Sequence, residues 1–205
     1  MMVTMVKADQ ALQGRQSLMP LTRKHGVLNT PLREDFDKKY SRLVVGMGCF
    51  WGAERLFWKL KGVYTTAVGY AGGFTPNPEY EEVCSGMTGH AEVVLIVYDP
   101  THTTLQDLLA VFWAGHDPTQ GMRQGNDTGT QYRSAVYPGS DEEYRQVISS
   151  RDRYAKVLAK SGLPAISTEI RIESTFYYAE EYHQQYLAKN PSGYCGLKGT
   201  GVDYS

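Results

Sequence analysis

From Ser41 onward the apolar positions follow two alternating periods. Residues 42–45 read as a short strand closed by the turn Gly46-Met47-Gly48. Phe50, Ala53, Phe57 and Leu60 then recur at helical spacing, ending at Lys61-Gly62. Residues 63–70 read as a second strand, and 93–98 (VVLIVY) as a third, buried on both faces because no polar residue interrupts it. Leu105, Leu108, Leu109 and Phe112 mark an amphipathic helix, opened by Thr104 with Asp107 three residues on. A strand over 132–137 follows. Ser140 and Glu143 predict a capping box for a helix over 141–160, with Tyr144, Val147, Ile148, Tyr154 and Leu158 on its apolar face. Ile166, Thr168, Ile170 and Ile172 alternate with polar residues, the pattern of a half-exposed strand. A last helix is predicted over 177–189, stopped by Asn190-Pro191.

The order β-α-β-β-α-β, then α-β-α, predicts an α/β (α+β) fold. Its form is a two-layer sandwich with a ferredoxin-like βαββαβ core, a mixed sheet and helices packed on it. Residues 1–40 read as an N-terminal extension and 41–205 as a single domain. Two stretches, 71–91 and 115–131, are too long and polar for plain connections, and loops of that length are functional or disordered. The tail 191–205 carries Gly193, Gly196, Gly199 and Gly201, which predicts mobility.

Charge narrows the classes. Lys and Arg total 21 against 22 Asp and Glu, a net charge of −1, so no basic footprint exists for nucleic acid or an anionic membrane. No apolar run reaches the ~18 residues of a membrane span. Residues 1–30 lack a secretory apolar core, and Asp9 makes a poor transit peptide. A cytoplasmic protein is the expectation, with a cleaved organelle presequence the second reading. The three cysteines, at 49, 84 and 195, are far apart in sequence, which fits a reducing compartment better than a disulfide scaffold.

Cys49 follows a Gly turn and opens a helix, where free N–H groups favour a thiolate. It is the best candidate nucleophile, and a buried structural cysteine is the alternative. Phe50-Trp51 beside it either wall a small apolar pocket or pack the core.

Gly48-Cys49-Phe50-Trp51-Gly52 resembles the signature of class A peptide methionine sulfoxide reductases. The resemblance continues through Gly69-Tyr70-Ala71-Gly72-Gly73, Gly89-His90-Ala91-Glu92, His116-Asp117-Pro118-Thr119, Gln124-Gly125-Asn126-Asp127, Gly129-Thr130-Gln131-Tyr132-Arg133-Ser134, Tyr182-His183-Gln184-Gln185-Tyr186-Leu187 and Gly193-Tyr194-Cys195-Gly196. It implies that 41–205 is a catalytic domain reducing the S epimer of methionine sulfoxide, free or in oxidised proteins. By that resemblance Cys49 attacks the sulfoxide sulfur and becomes a sulfenic acid, and Glu92 is the acid. Tyr80 and Tyr132 hydrogen-bond the sulfoxide oxygen, Asp127 helps hold substrate, and Phe50 and Trp51 receive the S-methyl group. Cys195 resolves the sulfenic acid to a disulfide that thioredoxin, or dithiothreitol in vitro, reduces. No bound metal or cofactor is implied, and a monomer is expected. Some members carry a further cysteine beyond the resolving one; residues 199–204 hold none, so the Cys49–Cys195 bond itself would face thioredoxin. Cys84 matches no motif and reads as inert.

Three other readings compete. A thiol hydrolase or transferase would pair Cys49 with His116 or His183. His90-Ala91-Glu92 matches the H-x-E of zinc deaminases, but the required P-C-x-x-C is missing. A redox-sensing or methionine-peptide-binding module would use the pocket without turnover.

Overall fold

The computed structural model describes residues 3–21, 24–33, 35–173 and 175–204; parts of the predicted N-terminal extension, Ser174 and the last residue of the tail lie outside the described residues. The elements run β1 (Ser41–Met47), α1 (Phe50–Phe57), β2 (Val63–Ala71), α2 (Tyr80–Cys84), β3 (Ala91–Tyr98) and α3 (Leu105–Gly115). Then come the small hairpin β4 (Arg123–Gln124) and β5 (Asp127–Thr128), β6 (Ser134–Tyr137), α4 (Asp141–Lys160), β7 (Glu169–Ile170), β8 (Tyr177–Tyr178) and α5 (Tyr186–Lys189).

The main sheet has the order β7-β6-β1-β3-β2-β8. Its four central strands are antiparallel and β7 joins β6 in parallel, so the sheet is mixed around the expected βαββαβ core. Strand alternation divides the apolar residues between two faces. Leu43, Val45, Met47, Val94 and Ile96 meet Phe50 and Phe57 of α1, Phe112 and Trp113 of α3, and Tyr154 of α4 in the main core. On the opposite face Ala67, Leu95 and Val97 pack against Leu32 and Phe36, so the N-terminal extension supplies part of a second layer. β3 is buried along its whole length, as its unbroken apolar run requires.

The helix caps follow their sequence signals in part. Thr104 and Asp107 form both halves of a capping box on α3. On α4 the Ser140 hydroxyl accepts from the Glu143 N–H, but Glu143 turns its carboxylate to the Gly139 N–H instead of closing the box.

Four expectations are corrected. The strand expected at 132–137 starts at Ser134, because Tyr132 lies in the tight turn Thr130–Tyr132. The strand expected at 166–172 shortens to β7. The helix expected at 177–189 is absent: Tyr177–Tyr178 pair with Gly69 and Tyr70, and only Tyr186–Lys189 is helical. There the Gln184 carboxamide bonds both the N–H and the carbonyl of Val68, and Gln185 takes a left-handed φ of 48°. Tertiary pairing thus outweighs helical propensity. Within the 71–91 loop the short helix α2 appears, closed by a Glu79/Glu82 capping box.

A buried polar chain fastens these parts together. His25 Nδ1 accepts from the N–H groups of Val27 and Leu28, so its Nε2–H faces Thr66 Oγ1 at 2.9 Å. Thr66 donates to Glu54 Oε1, and Gln185 donates to both Glu54 oxygens. The tail, although coil, lies on the body. Tyr204 OH meets Ser150 Oγ at 2.6 Å, and Tyr154 OH donates to the Val202 carbonyl at 3.0 Å.

Candidate active site

β1 leads into a tight turn at Gly48, whose φ of +88° suits glycine, and a Cβ there would lie 2.6 Å from Gln124 Cβ. The turn delivers Cys49 to the N-cap of α1. The N–H groups of Trp51 and Gly52 in the first turn pull the thiol's pKa down, as a helix N-terminus should, although neither makes a full capping hydrogen bond to the sulfur. They are outweighed. Burial, first, and the nearby Glu92 charge push the thiol well above its usual range. The depressed thiol that helix position alone suggests is therefore not what the resting site holds.

Glu92, the second residue of β3, is buried and receives the Phe50 N–H on Oε2 at 3.0 Å. Burial, reinforced by the Asp127 charge, raises its carboxyl to about 8, against the pull of that N–H. At neutral pH it holds a proton beside the Cys49 sulfur.

These two groups open on a cavity of about 170 Å³, lined also by Phe50, Trp51, Tyr80, Asp127, Tyr132 and Tyr194. The sequence names all of these except Tyr194. Its hydroxyl donates to Asp127 Oδ2 at 3.2 Å, so the tail closes one side of the cavity. Cys195, the next residue, is not in the lining; it is half-buried beside α1. All three cysteines are free thiols. Burial raises the hydroxyls of Tyr80 and Tyr132 above the ordinary tyrosine range, which keeps both as donors.

The walls are held from the 177–186 segment. Trp51 stacks on Tyr186 with centroids 3.8 Å apart and donates Nε1–H to His183 Nδ1 at 3.0 Å. The His183 ring also lies 5.0 Å from Phe50 and 4.6 Å from Tyr80. Burial lowers it to about 4, so it is a neutral packing and acceptor group. Glu180 accepts the Tyr80 N–H at 2.7 Å and the Tyr70 hydroxyl at 2.9 Å, which sets the start of α2. His116 spends Nδ1 on the Phe112 carbonyl and Nε2 on Ser134, each at 2.7 Å. Neither imidazole is placed as a base for Cys49, which removes the geometry a thiol hydrolase needs. His90 is likewise occupied by Gly73 N–H and the Thr75 carbonyl.

Two supports escaped the sequence reading. The Arg133 guanidinium is buried and ties Glu169, Thr130, Gly89 and Tyr137 together behind the site. A lone arginine at the start of a strand gives no sign that it will be buried. Tyr194 was signalled only by adjacency to Cys195.

The arrangement suits one chemistry. A protonated carboxyl, a nucleophilic sulfur and two phenolic donors converge on a space sized for a small side chain with an apolar end.

Comparison with known proteins agrees. The family described as peptide methionine sulfoxide reductase matches residues 41–202. The human mitochondrial peptide methionine sulfoxide reductase is 59% identical over 197 residues, covering 96% of this chain and 84% of that protein. Methionine sulfoxide reductase A of Corynebacterium diphtheriae superposes with a TM-score of 0.88 at 44% identity, over 94% of this chain and 93% of that one. Mxr1 of Saccharomyces cerevisiae, solved in complex with Trx2, superposes with a TM-score of 0.52 at 25% identity, over 76% and 91% of the two chains. With the signature blocks, the core topology and the cavity all in agreement, the chain belongs to the peptide methionine sulfoxide reductase family.

Proposed function

We propose that this protein reduces the S epimer of methionine sulfoxide, free or in proteins, through the residues that line the cavity. The observation that carries the reading is a carboxyl protonated near neutrality beside the sulfur of Cys49. The sulfoxide oxygen sits among the Tyr80 and Tyr132 hydroxyls and the Glu92 proton, and its methyl group lies against Phe50 and Trp51. Cys49 sulfur attacks the electrophilic sulfoxide sulfur as Glu92 gives its proton to the oxygen, and the thiol's own proton passes to the carboxylate left behind. The oxygen passes to Cys49, methionine leaves, and Cys49 becomes a sulfenic acid. Asp127 holds the Glu92 side of the cavity and raises its proton affinity.

Cys195 then attacks the Cys49 sulfenic sulfur. Water leaves and a Cys49–Cys195 disulfide remains, which thioredoxin reduces by exchange. The yeast relative solved with Trx2 supports thioredoxin as the electron donor. Cys84, exposed at the end of α2, takes no part. Three cysteines far apart in the sequence favour a reducing compartment, which fits a cytoplasmic protein, and we read it as a monomer. A mitochondrial relative exists, so cell fractionation is the check on location.

A thioredoxin-coupled assay with separated R and S sulfoxides tests the reading. Turnover is expected on S alone, and Cys49→Ser should abolish it. Cys195→Ser should release about one methionine per enzyme and stop with thioredoxin, as exchange chemistry requires. Full thioredoxin turnover by Cys195→Ser would move the resolving role elsewhere.

A further inference from the structure

The two sulfurs assigned to disulfide formation approach the same residue from different sides. Cys49 is the N-cap of α1, and Gly52 stands three residues on, in the first turn of that helix. Cys195 Sγ lies where the side chain of residue 52 would be: a Cβ built on Gly52 would sit 2.9 Å from it and 3.2 Å from Leu197 Cβ. Gly52 has no positive φ, so its backbone does not call for glycine. Within a helix alanine is a more stabilising residue than glycine. A glycine there serves the space above it.

The tail is arranged around that space. Tyr194 is turned to Asp127, Leu197 packs on Gly52, and Gly199 lies against the Ala114 carbonyl at the end of α3. Beyond it, Val202 and Tyr204 are fixed to α4. Cys195 is thus held between two docked neighbours, with its sulfur against the bare Cα of Gly52.

We propose that Gly52 is a positioning residue for the resolving step: its missing side chain is the slot that stores the Cys195 thiol beside Cys49. The proposal rests on the assignment of Cys195 as the resolving cysteine. The step it governs is the attack of Cys195 sulfur on Cys49–SOH, which forms the S–S bond and breaks the S–O bond. The Cys195 proton and the departing hydroxide leave as water. A methyl group in the slot displaces Cys195 and Leu197 together, and a misplacement of about 1 Å costs on the order of 10²-fold in rate.

Gly52→Ala is the test, since it favours the helix and keeps the N–H that faces Cys49. Enzyme is mixed with one equivalent of S sulfoxide without reductant. Methionine release, dimedone-trapped sulfenic acid and the Cys49–Cys195 disulfide are followed by rapid quench and peptide mass mapping, with wild type and Cys195→Ser alongside. In Gly52→Ala the disulfide should form at least about tenfold more slowly relative to the methionine burst than in wild type. Trapped Cys49 sulfenic acid should accumulate as it does in Cys195→Ser, and thermal stability should be retained. A disulfide as fast as in wild type overturns the proposal. So does an equal fall in burst and disulfide, which would place Gly52 in the sulfoxide step. A wild-type enzyme that forms no Cys49–Cys195 bond would instead remove the Cys195 assignment itself, and the proposal with it.

Discussion

Glu92 and Cys49 share a confined site in which two negative charges are costly, so the pair titrates as a unit. A proton on Glu92 removes the charge that opposes the Cys49 thiolate, and the same proton is the one the sulfoxide oxygen needs. The single-turnover rate should therefore hold up to about pH 8 and fall about tenfold per unit above it. Glu92→Gln should lose on the order of 10²–10⁴ in that rate, the usual worth of a placed acid, and lose the alkaline limb as well. Stop-flow measurement across pH 6–10 decides this; an alkaline limb that persists in Glu92→Gln would show another group titrating. Stability gives a second reading. The folded-state carboxyl, raised from 4.5 to about 8, contributes fully below 4.5 and loses that contribution as pH rises through 8. Glu92→Gln should accordingly melt above wild type at about pH 9 and level with it near pH 4, by the same linkage.

At the scale of elements, the regular periods were legible and the irregular ones were not. α1, α3 and α4 each bury one repeating face, β2 and β3 are runs buried on both, and residue types alone revealed these patterns. The 177–186 segment misled because its tyrosines, glutamates and glutamines favour a helix in isolation. In the fold those side chains bond outward to β2, α1 and α2. Of the site, Cys49, Phe50, Trp51, Tyr80, Glu92, Asp127 and Tyr132 line one cavity, joined by Tyr194, to which the sequence assigned no role there, while Cys195 stays outside the lining; Arg133, His183 and Glu180 act through contacts that exist only after folding. Cap strength is a local matter and is testable locally. Thr104→Ala should cost about 1 kcal/mol in urea unfolding, since it removes the hydroxyl half of the α3 box and leaves the backbone N–H to Asp107, and should leave kcat/KM unchanged. A loss of activity matching the loss of stability would mean that α3 transmits strain to the site.

For the whole molecule, buried titratable groups set the pH of greatest stability. Burial lowers His25, His116 and His183 to about 4, and raises Glu54 to about 7 and Glu92 to about 8. Between about 4.5 and 6.5 the unfolded chain holds protons on these three histidines, and on His90, which burial also lowers, that the folded one refuses, while the folded one holds two on carboxyls; stability rises with pH. Above about 6.5 only the carboxyl contribution remains and the slope reverses. A melting series should peak between about pH 6 and 7, and a steady rise through pH 9 would contradict the buried carboxyls. The N-terminal segment belongs to this same cooperative unit. Leu32→Ala, at a fully buried position outside the family match, should cost about 2–5 kcal/mol and shift one shared transition.

The anchoring of that segment has a consequence for synthesis. Leu32 offers its carbonyl to the Tyr178 hydroxyl, 146 residues on, and Gly26 gives its N–H to Gln185, 159 residues on, so residues made early dock on residues made much later. While the chain is still on the ribosome, the back of the sheet waits uncovered until the late residues have emerged. Emergence of residues 177–186, rather than the appearance of the catalytic helix, starts the final closure, and nascent chains stalled near residue 140 should leave residues 24–33 open to protease.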